Sequence, residues 1–162
     1  MSNHVHFVAV PKAATSLGLA FRDAHAAYAA YFNRTEDVSG HLWQGRYFSC
    51  AMDDSHLWAA VRYIERNPVR AGVVKKAADY AWSSAQAHCG LRADPLLSKD
   101  FPPEGVVRDW SAWLSDEDVK ASDAIRRHSH VGRPCGNEPF IDRLEILIGR
   151  HVRRGKPGPA RK

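Results

Sequence analysis

The alternation of apolar and polar residues near the start of the chain predicts a β-strand. Residues 3–10 alternate and are rich in β-branched and aromatic side chains. Alternation places His4 and His6 on the same face of this strand. A second, shorter strand is predicted over residues 47–52. These two segments predict that the N-terminal part of the chain contains a β-sheet.

Apolar residues at helical spacing follow each predicted strand. The first helix is predicted from Ser16, a suitable N-cap, to about Asn33. The second is predicted to begin at Asp53 or Asp54 and to end at Asn67. Its end is set by the next residue, a proline, which removes a helical hydrogen bond and restricts the residue before it.

Two more helices are predicted in the C-terminal half, near residues 116–127 and 138–148. Ser115 would begin the first through a capping-box-like arrangement, and Asn137 would cap the second. The order of elements predicts an α+β fold with an antiparallel sheet over residues 1–90. A helical extension over 91–150 and a basic tail over 151–162 complete the predicted domain organisation.

Composition restricts the class of protein. With 162 residues, of which 44% are hydrophobic, the chain can bury a core and is not a disordered, collagen-like or coiled-coil protein. The longest stretch without Asp, Glu, Lys or Arg has 12 residues, and a membrane-spanning helix needs about 20. Three widely spaced cysteines indicate free thiols and therefore a reducing, cytoplasmic location.

The net charge of +5 is concentrated in the last twelve residues, which contain five basic and no acidic side chains. Arg153, Arg154 and Lys156 belong to this tail. A basic segment interrupted by Pro and Gly is suited to contacting a phosphate backbone. The alternative is a tail that serves only solubility.

Two histidines on one strand face form a candidate metal site. The Cα atoms of His4 and His6 would lie about 7 Å apart, so that the ring nitrogens of both side chains can converge on one divalent ion. The pattern is weak by itself, since His128 and His130 repeat it near a predicted helix end among arginines. Histidines without a metal are the alternative.

The second predicted helix carries a candidate nucleophile. Tyr63 and Asn67 lie four residues apart and share one flank of the apolar stripe. A tyrosine beside an amide oxygen that can complete a metal site is suited to phosphoryl transfer. An ordinary half-buried tyrosine followed by a helix-ending asparagine is the alternative.

A glycine-bounded segment over residues 40–47 combines aromatic, amide and basic side chains. Such residues can stack on a base and bind phosphate, although the tryptophan could equally fill a core between two turns. The candidate DNA-binding residues here are His41, Trp43, Gln44 and Arg46.

These segments together resemble a known family. The chain contains, in order, Met-Ser-Asn-His-Val-His, Tyr-Phe-Asn-Arg, Gly-His-Leu-Trp-Gln-Gly-Arg, Arg-Tyr-Ile-Glu-Arg-Asn-Pro-Val-Arg-Ala-Gly and Tyr-Ala-Trp-Ser-Ser. This order resembles the single-tyrosine HUH transposases and, more narrowly, the REP-associated tyrosine transposases of bacterial chromosomes. The resemblance covers about residues 1–90 and, more loosely, residues 125–134.

The resemblance implies a ferredoxin-like sheet that binds single-stranded DNA at hairpin-forming repeats, in association with the bacterial nucleoid. It implies Mg²⁺ or Mn²⁺ held by His4, His6 and Asn67. Tyr63 would then cleave and rejoin DNA through a 5′-phosphotyrosine intermediate.

Members of this family carry a strand, a helix and a partial strand before the histidine motif, whereas here the histidines begin at residue 4. We therefore expect an N-terminally incomplete catalytic domain, either because the protein is longer or because it is a fragment. An inactive DNA-binding remnant is the alternative function, and a helical interaction module is a third.

Overall fold

The computed structural model describes residues 4–101, 106–116 and 118–153, with His130 described only in its backbone. This part of the chain is mainly helical. Its helices are α1 (Ser16–Thr35), α2 (Asp54–Arg70), a 3-10 turn (Ala77–Asp79), α3 (Ala85–His88), α4 (Trp110–Ser115), α5 (Val119–Val131) and α6 (Glu138–Ile148). Within the described ranges, none of these helices is both long and apolar enough to span a membrane.

The predicted ferredoxin-like antiparallel sheet is wrong. Across the described residues, the only strand pairing is one isolated parallel bridge between Met52 and Cys135. Residues 4–10 have no neighbouring strand there, and their apolar side chains are open to solvent, with Phe7 61% and Val10 89% exposed. A strand needs a partner for its backbone groups and cover for its apolar face, and alternation in one segment supplies neither.

The predicted helices are close to the observed ones, with differences at their ends. α1 begins at Ser16, but Thr15 is its N-cap, and the Ser16 hydroxyl instead accepts from the Ala13 backbone N–H at 3.0 Å. α6 spans the predicted residues, with its predicted cap Asn137 accepting from the Phe140 N–H. α5 starts later than predicted and is capped by Asp118.

The expected stop at Pro68 is also wrong, because α2 continues through this proline to Arg70. Pro68 is buried and lies two residues before Arg70, the last residue of the helix. A proline removes one helical hydrogen bond, but here the packing of the buried last turn outweighs that local preference. The extra turn matters because it adds Arg70 to the face that carries Tyr63.

The described residues group into two compact units. One consists of residues 9–49, and the other combines residues 1–8 with residues 50–162. The first contains α1 and the loop that follows it, and the second contains all later helices. The division into residues 1–90, 91–150 and 151–162 stays a prediction.

α2 is the central helix of the second unit and is buried on two faces. Val61 packs in a cluster with the 3-10 turn, α3 and α4, where Trp110 and Leu114 are buried. Ala60 and Tyr63 pack in another cluster, against Ile125 of α5. The helix is therefore held from both sides.

A buried polar network also ties α2 to α3. Glu65 is 1% exposed, and its Oε1 accepts from the hydroxyl of Ser84 and lies 2.6 Å from Nδ1 of His88. The His88 ring stacks on Trp110 with centroids 4.4 Å apart. Removing one partner would leave a buried polar group unpaired, so this network specifies how the segment after residue 80 docks.

Asp53 joins the start of α2 to the start of α6. Its Oδ1 accepts from the backbone N–H of His56 at 3.0 Å and lies 2.6 Å from the ring Nδ1, while its Oδ2 accepts from the Asn137 N–H at 2.8 Å. Burial disfavours the charged form of Asp53 and by itself would raise the pKa of this carboxyl group. However, these bonds and one from the Ser55 hydroxyl hold the pKa of Asp53 well below its ordinary value.

Replacing Asp53 should therefore destabilise the second unit. Asp53→Ala removes the cap of α2 and the acceptor for Asn137, and we expect the free energy of unfolding to fall by about 1–2 kcal/mol at pH 7. Asp54→Ala, which changes an exposed neighbour, should stay within about 0.5 kcal/mol. Urea unfolding measures both variants.

The free energies of unfolding of the wild type and of Asp53→Ala can also be compared across pH. Because the pKa of Asp53 is lower in the folded protein, its stabilising effect is present above the ordinary carboxyl pKa of about 3.9. This stabilising effect should be lost as the pH falls below the ordinary carboxyl pKa and through the lower pKa that Asp53 has in the folded protein. A wild-type advantage over Asp53→Ala that does not shrink in acid would contradict this role of the carboxylate.

Candidate active site

The candidate nucleophile lies in the cluster between α2 and α5. Tyr63 is 8% exposed and packs with Ala60, Ile125 and Cys135. Its position follows from the helical period of α2, which turns Ala60 and Tyr63 toward the same neighbour. The ring is thus held by packing from a helix in the C-terminal half of the chain.

The two candidate histidines lie next to this tyrosine. The rings of His4 and His6 meet edge to face with centroids 4.9 Å apart, and the His6 and Tyr63 rings are 6.0 Å apart. Desolvation by the surrounding protein, with smaller contributions from the His4 and Arg70 charges, lowers the pKa of His6. The neutral imidazole that results is the form that can bind a metal.

Asn67 and Arg70 complete this group of side chains. Asn67 is 7% exposed, and its Oδ1 accepts from Nη2 of Arg70 at 2.6 Å. The guanidinium of Arg70 lies over the Tyr63 ring, 4.1 Å from its centroid. A fixed positive charge therefore stands beside the candidate nucleophile.

Sequence reasoning missed Arg70, although a signal for it was available. Residues i and i+7 share a face of a helix, so Arg70 follows Tyr63 on the same face once α2 extends beyond Pro68. Ending the predicted helix at Asn67 removed this arginine from the site.

The donor types agree only in part with the expected Mg²⁺ or Mn²⁺. His4 and His6 are adjacent, and imidazole is a usual ligand of transition metals such as Mn²⁺ more than of Mg²⁺. Asn67 does not fit in this arrangement, because its oxygen is already bonded to a cationic side chain. In the part of the chain that the structure describes, no group of three or more His, Cys, Asp or Glu side chains could hold a metal.

The candidate DNA-binding loop belongs to the unit of residues 9–49. The Trp43 ring stacks on His25 with centroids 4.1 Å apart, and its Nε1 donates to the His25 carbonyl at 3.0 Å. Trp43 therefore fastens the loop to α1.

Other residues of the loop are open to solvent. Gly40 has a φ of 106°, which favours glycine at this turn. The side chains of His41, Gln44 and Arg46 are exposed, and their contact with DNA stays a prediction.

The tail is described only as far as Arg153. Its guanidinium pairs with three carboxylates of α6, at 2.7 Å from Glu145, 2.8 Å from Glu138 and 2.6 Å from Asp142. Its charge is thus compensated within the protein. Arg154 and Lys156 lie outside the described residues.

A comparison with protein families found a match in the N-terminal part of the chain. Residues 1–67 match the family model described as "Transposase IS200 like". The match covers 67 of the 162 residues and includes His4, His6, Tyr63 and Asn67. Comparison with curated proteins and with solved structures found no match. The family match supports a transposase family and a DNA transposase role in general, whereas the narrower REP-associated group stays a prediction.

Two variants separate structure from DNA contact in the loop. Trp43→Ala removes the stacking on His25, and we expect it to destabilise the unit by about 2–3 kcal/mol, less than for a fully buried tryptophan. Arg46→Ala should leave stability within about 0.5 kcal/mol but weaken binding of single-stranded DNA and reduce its salt dependence. Urea unfolding and fluorescence titrations at several salt concentrations measure these effects. Unchanged binding by Arg46→Ala would remove this arginine from the DNA interface.

Proposed function

We propose that the protein is a single-tyrosine transposase that cleaves and rejoins single-stranded DNA at hairpin-forming repeats. The observation that carries the proposal is the convergence of His4, His6 and Tyr63, from segments more than fifty residues apart, inside the part of the chain that matches a transposase family. The REP-associated type of transposase is the narrower form of this proposal.

In the proposed reaction, the phenol oxygen of Tyr63 attacks the phosphorus of a phosphodiester. The bond from phosphorus to the 3′ oxygen breaks, and that oxygen leaves as a 3′-OH after taking up a proton. The products are a 5′-phosphotyrosine and a free 3′-OH, and the reverse attack by a 3′-OH rejoins the strand. This step needs no other reactant, because the phenol proton balances the one gained by the leaving oxygen.

A neutral phenol is a weak nucleophile and needs a nearby cation. Mg²⁺ or Mn²⁺, held by His4 and His6, would polarise the phosphate when bound. Arg70 supplies a second, permanent positive charge at the Tyr63 ring. Asn67 acts in this arrangement by fixing that arginine.

The second candidate function is DNA binding without catalysis. The observation that favours it is the low exposure of Tyr63, 8%, together with the lack of a sheet across the described residues. Under this alternative the exposed loop and the basic residues bind DNA, and no covalent intermediate forms.

Tyr63→Phe distinguishes the two candidates. We expect it to abolish the denaturation-resistant band formed between the full chain, a single-stranded hairpin oligonucleotide and Mn²⁺, while binding remains within about twofold, because it removes only one oxygen. Tyr31→Phe, which changes an exposed tyrosine of α1, is the matched control and should keep the band. Electrophoresis under denaturing conditions measures the outcome.

A band that persists in Tyr63→Phe would place the nucleophile elsewhere. A band absent from the wild type at every metal tested would favour the non-catalytic candidate. Chelation of the metal and His6→Ala should both remove the band if the histidines hold the cation.

A further inference from the structure

A small cavity lies directly beside the candidate nucleophile, between α2 and α5. Its volume is about 110 Å³. Residues from both helices line it, and these are Tyr63, Arg70, Val119, Ser122, Asp123 and Arg126. Tyr63, which is otherwise buried, thus has open space on one side.

α5 contributes one of its faces to this cavity. Val119, Ser122, Asp123 and Arg126 follow the spacing i, i+3, i+4 and i+7, which places side chains on a single side of a helix. Ile125 is buried in the cluster with Tyr63 and anchors α5 against α2. The position of Arg126 at the cavity thus depends on core packing and not on a mobile loop.

The charges around the cavity favour an anion. Its lining residues include two arginines, Arg70 and Arg126, and one aspartate, Asp123. The balance of one positive charge matches the single negative charge of a phosphodiester. Guanidinium groups bind phosphate oxygens through paired hydrogen bonds, and the Ser122 hydroxyl is a further donor.

Arg70 is held in place before any ligand arrives. Its Nη2 donates to Asn67 at 2.6 Å, and its guanidinium lies on the Tyr63 ring. A preorganised arginine loses less freedom on binding than a free one. The buried Asn67 is thereby linked to the cavity through Arg70.

We propose that this cavity binds a backbone phosphate of single-stranded DNA, held by Arg70 and Arg126, with α5 supplying one of these two arginines. The inference rests on the proposed function, because it takes the ligand to be the strand that Tyr63 attacks. It extends that function beyond the family match, which ends at residue 67. Contacts to phosphate position a strand without reading its sequence, so the site would place the scissile bond at Tyr63.

The test compares two neighbouring arginines of α5 in the full chain. Arg126 lines the cavity, whereas Arg127 is an exposed residue that does not. The affinity for a single-stranded oligothymidylate is measured by fluorescence anisotropy at several salt concentrations. For R126Q the slope of log affinity against log salt should become shallower by about 0.7, the value for one phosphate contact on a single strand. R70Q should behave similarly, and R127Q should keep the wild-type slope.

A second readout places the contact. In the wild type and in R127Q, the oligothymidylate should shift the NMR signals of the Tyr63 ring, assigned by their loss in Tyr63→Phe. In R126Q this shift should disappear. Inorganic phosphate is the parallel probe, since a shift with free phosphate but none with the oligonucleotide would indicate a site for a free anion and would overturn the proposal.

Other outcomes also overturn it. Equal changes of slope in R126Q and R127Q would mean a diffuse basic surface, and no change in R126Q would mean that this arginine does not touch DNA. Unfolding midpoints within 1–2 °C of the wild type, about what a few tenths of a kcal/mol produce, exclude a folding defect as the cause. The covalent band is scored separately, so that a protein without the band but with the predicted slopes would retain this phosphate site while losing the transposase chemistry.

Discussion

The burial of α2 on two faces is the constraint on which the rest of the second unit depends. One face packs on α4 through Val61 and Trp110, and the other packs on α5 through Tyr63 and Ile125. Each large apolar side chain buried in this way contributes about 1.5–3 kcal/mol. Because α2 cannot rotate without losing both contacts, the residues on its flanks are fixed in direction.

This constraint separates two kinds of polar group along one helix. Tyr63 and Glu65 are two residues apart, which is about 200° around the helix, so they face different neighbours. Glu65 pairs inside the protein through its Oε1 with Ser84 and His88 and serves docking. Tyr63 instead meets the cationic side of the unit, where His6 and Arg70 approach its ring.

Much of the candidate site was predictable because it lies on a single helix with a clear period. The spacing of Tyr63 and Asn67 placed them on one flank of α2. The sequence predicted that this helix begins at Asp53 or Asp54, and the structure makes Asp53 the cap. The approach of His4 and His6 to Tyr63 was expected only from the family resemblance. The periodicity within each segment carries no information about contacts between the two segments.

Local sequence patterns were sufficient to predict the four longest helices, both ends of α6, and the shared flank of Tyr63 and Asn67. Three features depend on tertiary contacts instead: residues 4–10 pair with no strand in the described chain, α2 continues through Pro68, and α5 brings Arg126 to the cavity beside Tyr63. The reason is physical. Helical hydrogen bonds and caps are local, so a short window contains them, whereas strand pairing and the packing of a buried proline depend on neighbours that are distant in the chain.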